Sequence, residues 1–192
     1  MEKGKVVVIS GNKRAGKTTL SVKLHKEAGY NFYNFDAITD AIDEGIYEPK
    51  VHQDTYYWKF FEEMVESSLS LAENYGINTV IDTIEFMPYL MKDFKYLDKI
   101  EVYYLANLDA TIDNVKMDML TYSKPYDWPS YASEADINRN VNFILNRNEY
   151  LKEECEKYGF RLINTSRADN RLEIINNTFK EITEGLDKSK SL

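Results

Sequence analysis

Three observations place this 192-residue chain in the α/β class, as one domain with a parallel sheet flanked by helices. Short segments rich in β-branched and aromatic residues recur with helical stretches between them, the alternation that builds βαβ units. The stretch from about Asp54 to Tyr75 carries Trp58, Phe61, Val65, Leu69 and Ala72 at steps of three or four, the stripe of a helix that packs on a core. A content of 43% hydrophobic and 29% charged residues is that of a globular chain long enough to bury such a core.

Five strands are expected, at Lys5–Ile9, Asn31–Phe35, Asn78–Asp82, Glu101–Ala106 and Arg161–Asn164. A helix begins near Lys17, another lies around Ile38–Asp43, and Gly76 stands just past the end of the long one. A second long helix opens with Ser133 as cap and Asp136 three residues on, and runs through Ile137, Val141, Ile144 and Leu151 to Gly159. Between residues 122 and 131, "YSKPYDWPSY" holds two prolines and reads as a loop or lid. The domain is expected to span 1–185, with a lid at about 121–147, and residues 186–192 read as a frayed tail.

Charge and composition narrow the function classes. A net charge of -8 repels a nucleic-acid backbone, so no nucleic-acid partner is expected. Cys155 is the single cysteine and sits at an apolar helical spacing after Leu151, a buried filler rather than a nucleophile. No Cys/His cluster offers a zinc site. The apolar run after Met-Glu-Lys-Gly-Lys is too short for a signal-peptide core, and none approaches the ~18 residues of a membrane span, so a cytoplasmic setting is expected.

The stretch that carries chemistry is Gly11-Asn-Lys-Arg-Ala-Gly16-Lys17-Thr18, which fits G-x-x-x-x-G-K-[ST] between a strand and a helix. Glycine lets backbone N–H groups turn inward around a phosphate, and the new helix adds the partial positive charge of its N-terminus. Lys17 is expected to reach the β- and γ-phosphates, and the Thr18 hydroxyl to bind Mg²⁺. Asn12, Lys13, Arg14, Ala15 and Thr19 complete the nucleotide-binding stretch; for Lys13 and Arg14 phosphate contact and solvation stand level, and Thr19 packs or caps.

Two acids follow strands. Asp82 ends "NTVID" at the carboxyl edge of its strand, where open parallel sheets place ligands, and is expected to serve the metal; capping the next turn is the alternative. Glu85 either shapes the acceptor site or is a surface acid. Asp36 opens "DAITDAI" and is expected to orient an attacking hydroxyl or take its proton, with a helix N-cap, shared with Asp40, as the structural rival.

With these residues the chain resembles the small P-loop kinases related to adenylate, shikimate and gluconate kinases and to chloramphenicol phosphotransferase. The resemblance covers most of the chain as an order of elements. It implies the three-layer P-loop NTPase fold with a five-stranded parallel sheet and a small helical lid. It implies ATP·Mg²⁺ as donor, and lid arginines that neutralise the transferring group. Gly11 to Thr18 match its loop, Asp82 its metal-side carboxylate and Asp36 its acid after the second strand. After Arg14 the next arginines are Arg139 and Arg147, which resemble the lid pair; surface arginines are the alternative. Arg167, in the turn Thr165-Ser166-Arg167, lies where such kinases touch the base.

Departures bear on the acceptor. The mononucleotide kinases grip an acceptor phosphate with arginines after the second strand, yet residues 37–81 contain none. That region supplies Tyr47, His52, Tyr56, Tyr57, Trp58 and Phe60, suited to a neutral, ring-containing or sugar-like molecule, with Trp58 also a core candidate and His52 a surface or hydrogen-bonding residue. A regulatory GTPase would need N-K-x-D, but the Asn12-Lys13 pair lies inside the loop, and Thr-Ile-Glu follows Asp82 instead of D-x-x-G. The expected activity is phosphoryl transfer from ATP·Mg²⁺ to a hydroxyl of a small molecule. A nucleoside or nucleoside monophosphate kinase, and a regulatory or toxin-like nucleotide-binding protein with a kinase fold, are the alternatives.

Overall fold

A computed structural model describes residues 3–45, 53–121, 123, 125, 128–165 and 170–185. Five parallel strands form one sheet in the order β2-β3-β1-β4-β5. They are β1 (Val6–Gly11), β2 (Asn31–Asn34), β3 (Thr79–Asp82), β4 (Glu101–Ala106) and β5 (Arg161–Asn164), each within a residue or two of its expected place. The helices are α1 (Lys17–Ala28), α2 (Phe35–Gly45), α3 (Gln53–Tyr75), the single turn α4 (Pro88–Met91), α5 (Ile112–Thr121), α6 (Glu134–Tyr158) and α7 (Arg171–Glu184).

Successive side chains of a strand point to opposite faces, and β1 divides two cores accordingly. Val6 and Val8 join Phe35, Phe61, Val65 and Phe86, the core on the α3 side. Val7 and Ile9 join Leu20, Leu24, Ile175 and Ile182 from α1 and α7 on the other. The stripe of α3 is core as its spacing predicts: Phe61 and Val65 are fully buried, and Trp58 packs edge-on against Phe86 and Phe94. Cys155 is buried in the same core.

A third, smaller core joins Val115 and Met119 of α5 to Ile137, Val141 and Ile144 of α6. Residues 134–147 of the segment read as a lid are thus the first half of one uninterrupted helix of 25 residues. Its start is capped as expected, with Ser133 Oγ accepting from Asp136 N at 3.2 Å, and Gly159 ends it in the left-handed conformation at φ 72°. The tail 186–192, Tyr47 and His52 lie outside the described residues. Among the described residues no helix is long and apolar enough to cross a membrane.

Candidate active site

The phosphate loop springs from the carboxyl end of β1. Gly11 sits at φ 130°, and a Cβ there would lie 2.1 Å from the Leu105 carbonyl oxygen, so β4 leaves room for glycine alone. Asn12 N then donates to that same oxygen at 2.8 Å. Arg14 takes the left-handed conformation at φ 61°, a strained state for a side-chain-bearing residue of the kind that collects at functional loops. Gly16, at φ 88°, caps α1 without a side-chain hydrogen bond, and the N–H groups of a helix's first turn are the kind that bind phosphate.

Lys17 is buried, and its Nζ donates to Asn12 O at 3.0 Å, across the loop. Burial pushes its pKa down, while the Asp82 and Asp36 carboxylates favour the ammonium form. The register of β3 against β1 pairs Asp82 with Ile9 and delivers the carboxylate to the base of the loop. Asp82 Oδ2 accepts from Thr18 Oγ1 at 2.6 Å. Its Oδ1 is buried with no hydrogen-bond partner, and burial pushes the Asp82 pKa up despite Lys17.

Asp36 lies in the first turn of α2, not at its cap: Asn34 Oδ1 accepts from Ala37 N at 3.1 Å instead. Asp36 Oδ1 accepts from Ile84 N at 2.8 Å, and burial raises its pKa. On the other side of the same residue, Arg147 of α6 donates to Ile84 O. Burial works against its guanidinium, and the Glu85 and Asp36 carboxylates support it. Ile84 thereby joins Asp36 and Arg147, 111 positions apart in sequence, through its own backbone.

Lys17, Thr18, Asp82, Asp36 and Arg147 are therefore brought together. Arg139 is not: it is exposed and paired with Asp136 one turn away. Lys13 points to α6, with Nζ 3.4 Å from Asn140 Oδ1 and over the Phe143 ring, and Arg14 donates to Ser123 Oγ at 3.1 Å. Ala15 is buried, while Thr19, Asp40 and Glu85 are exposed. Arg167 lies outside the described residues.

The expected metal finds a fitting donor set. Among the described residues no group of three or more His, Cys, Asp or Glu side chains is placed to cage an ion. Mg²⁺ needs no such cage, since it takes one or two protein oxygens and completes its shell with waters and phosphates. The unpartnered Asp82 Oδ1 beside the Thr18 hydroxyl supplies oxygens of that kind. Missing from the sequence reading were the Ile84 backbone and the buried Asn148, whose one signal was an amide on the apolar face of α6.

The same architecture recurs among solved structures. Shikimate kinase from Acinetobacter baumannii, solved in complex with shikimate, superposes with a TM-score of 0.56 over 97% of each chain at 16% identity. A gluconokinase from Sinorhizobium meliloti gives 0.52 over 95% of each chain at 14% identity. The chain has the small P-loop kinase fold. Deoxyadenosine kinase from M. mycoides shares it, at a TM-score of 0.51 and 14% identity over 93% of this chain and 99% of that one. No family model matches the chain, and no curated protein matches it in sequence. Within the small P-loop kinase fold, this chain places its loop lysine, Asp82 at the end of β3 and Asp36 in the first turn of α2 at one edge of the sheet, with Arg147 of α6 beside them.

Proposed function

We propose that the chain is an ATP-dependent phosphotransferase that moves the γ-phosphoryl group to a hydroxyl of a small, uncharged acceptor. The observation that carries the reading is the meeting of Lys17, Thr18 and Asp82 at the phosphate loop with Asp36 and Arg147, which hold the N–H and the carbonyl of Ile84. Phosphoryl transfer asks mainly for positioning and charge stabilisation, which these groups provide.

In this reading the loop N–H groups and Lys17 bind the donor phosphates. Asp36, whose carboxylate is held by Ile84 N and the Thr83 hydroxyl, orients the acceptor hydroxyl with its remaining lone pairs. The hydroxyl oxygen forms the new bond to phosphorus, the bridging P–O bond breaks to release ADP, and the hydroxyl proton leaves toward Asp36. Arg147 lies on the acceptor side, where its charge offsets that of the transferring group. Thr18 and Asp82 would hold Mg²⁺, which when bound neutralises charge on the β- and γ-oxygens. An uncharged acceptor agrees with the absence of arginine from residues 37–81.

The test is a screen of the full chain with ATP and Mg²⁺ against pools of sugars, nucleosides, nucleotides and cyclitol or phenolic compounds, read by mass spectrometry. A phosphorylated product that vanishes in Lys17→Ala supports the reading and identifies the acceptor class. A product formed only from nucleosides or their monophosphates replaces the small-acceptor reading with a nucleoside-type kinase. ATP binding with no product from any pool would favour a regulatory nucleotide-binding protein.

A further inference from the structure

Behind the phosphate loop runs a chain of three buried asparagines. Asn12 is fully buried, and Asn148 and Asn107 are 3% and 7% exposed. Asn12 Nδ2 donates to Ile144 O at 2.6 Å and to Asn148 Oδ1 at 2.7 Å. Asn148 Nδ2 donates in turn to Asn107 O at 2.7 Å, just past the end of β4. Asn12 Oδ1 accepts from Lys13 N at 2.8 Å, and Asn12 O accepts from Lys17 Nζ.

The direction of this chain is forced. The Asn107 and Ile144 carbonyls can only accept, so each must meet an amide NH₂. Asn148 therefore turns its Nδ2 to Asn107 and its oxygen to Asn12, which donates to both partners on α6. Position 148 needs one acceptor and one donor back to back in a dry setting; leucine offers neither, and aspartate would bury a charge. Asn140, Ile144, Arg147 and Asn148 fall on one face of α6, at steps of three and four. The asparagine chain thus seats on the loop the same helix face that presents Arg147 to Ile84.

We propose that Asn148 is a positioning residue: clamped between Asn12 and Asn107, it sets the register of α6, and with it Arg147, against the phosphate loop. The proposal rests on the reading of that loop as a nucleotide site. It follows that a nucleotide on the loop, by ordering Asn12, tightens the seat of α6, and that loss of Asn148 displaces Arg147 while leaving the loop able to bind.

The experiment uses the full chain with Mg²⁺ and a non-hydrolysable ATP analogue carrying an imido β,γ-bridge, following amide hydrogen exchange over residues 140–148 and affinity by calorimetry. In the wild type the analogue is expected to slow exchange in this stretch. In Asn148→Leu it binds within about threefold of wild type, and the slowing in α6 is lost. ATP turnover with the acceptor found in the screen, or with water, falls about 10- to 100-fold with little change in KM for ATP. In an Arg147→Ala background the same substitution brings no further loss, because its effect runs through Arg147. If Asn148→Leu does not fold, Asn148→Ser, whose hydroxyl is too short to clamp Asn12 and Asn107 together, takes its place with the same expected outcomes.

Slowing in α6 that persists in the variant, or a turnover loss that adds in full to that of Arg147→Ala, overturns the positioning role. A wild type that binds the analogue with no change in α6 overturns the proposal alone. A wild type that does not bind it overturns the nucleotide reading and the proposal with it.

Discussion

Asp36 shows most directly how burial and chemistry oppose each other at the level of one residue. Its carboxyl pKa is raised first by burial, with the Ile84 N–H and the Lys17 charge pulling the other way. The folded state therefore holds this proton to a higher pH than the unfolded chain, and stability falls as pH rises from the ordinary carboxylate range, about 4, through the folded value. Asn at this position keeps an oxygen for Ile84 N and carries no charge. Asp36→Asn is expected to raise Tm by about 2–4 °C at pH 8, with the gain shrinking toward pH 4, as calorimetry at several pH values would read. Turnover should fall about 10²- to 10⁴-fold with ATP affinity nearly kept; an equal fall in both would assign Asp36 to folding alone. Lys17→Ala is expected to abolish transfer yet leave the circular dichroism spectrum unchanged, because the Lys17 ammonium donates to Asn12 O within its own loop.

The scale of elements is where sequence and site part company. Gly11, Gly16, Lys17 and Thr18 fall within eight consecutive residues, and their spacing alone marks a candidate phosphate loop, since the backbone geometry it needs is local. Asp82 and Asp36 were legible because each ends or follows a strand, and parallel strands deliver their carboxyl ends to one edge. Arg147 and Arg139 read alike as a pair; what separates them is the rotation of α6, which turns one to Ile84 and the other to solvent and Asp136. The asparagine chain was illegible for the same reason, since it joins positions 12, 107 and 148 through tertiary packing. Gly11 tests the element scale: Gly11→Ala sets a methyl against the β4 backbone, and a loss of at least about 3 kcal/mol in urea unfolding is expected. A loss below about 1 kcal/mol would mean that β1 and β4 part easily there.

For the whole molecule, the proposed function asks an acidic chain to concentrate its positive potential where a polyphosphate would sit. The net charge is -8, while the loop gathers Lys13, Arg14 and Lys17, with Arg147 beside them. Ligand binding should therefore be strongly stabilising once Mg²⁺ shields the donor: at 100 times Kd, about 2.7 kcal/mol is added, or roughly 5–10 °C in Tm for a domain of this size. A thermal shift with ATP and Mg²⁺ that collapses in EDTA is expected; an equal shift without the ion would remove Thr18 and Asp82 from the metal role. Two cores, one on each face of the sheet, bury the strands that carry the site.

The unbroken length of α6 has a mechanical meaning. Its second half is fixed in the sheet core through Leu151 and Cys155, whereas its first half rests on α5 in a small core of its own. A rod seated in the larger core at one end and in a smaller one at the other tilts most easily about its deeper seat. A tilt of about 10° about Leu151 would carry position 147 through about 1 Å and position 139 through about 3 Å, at 1.5 Å of rise per residue. The arginine that stands apart from the site, Arg139, thus rides the long arm of the beam, and Arg147 the short one, next to the fulcrum.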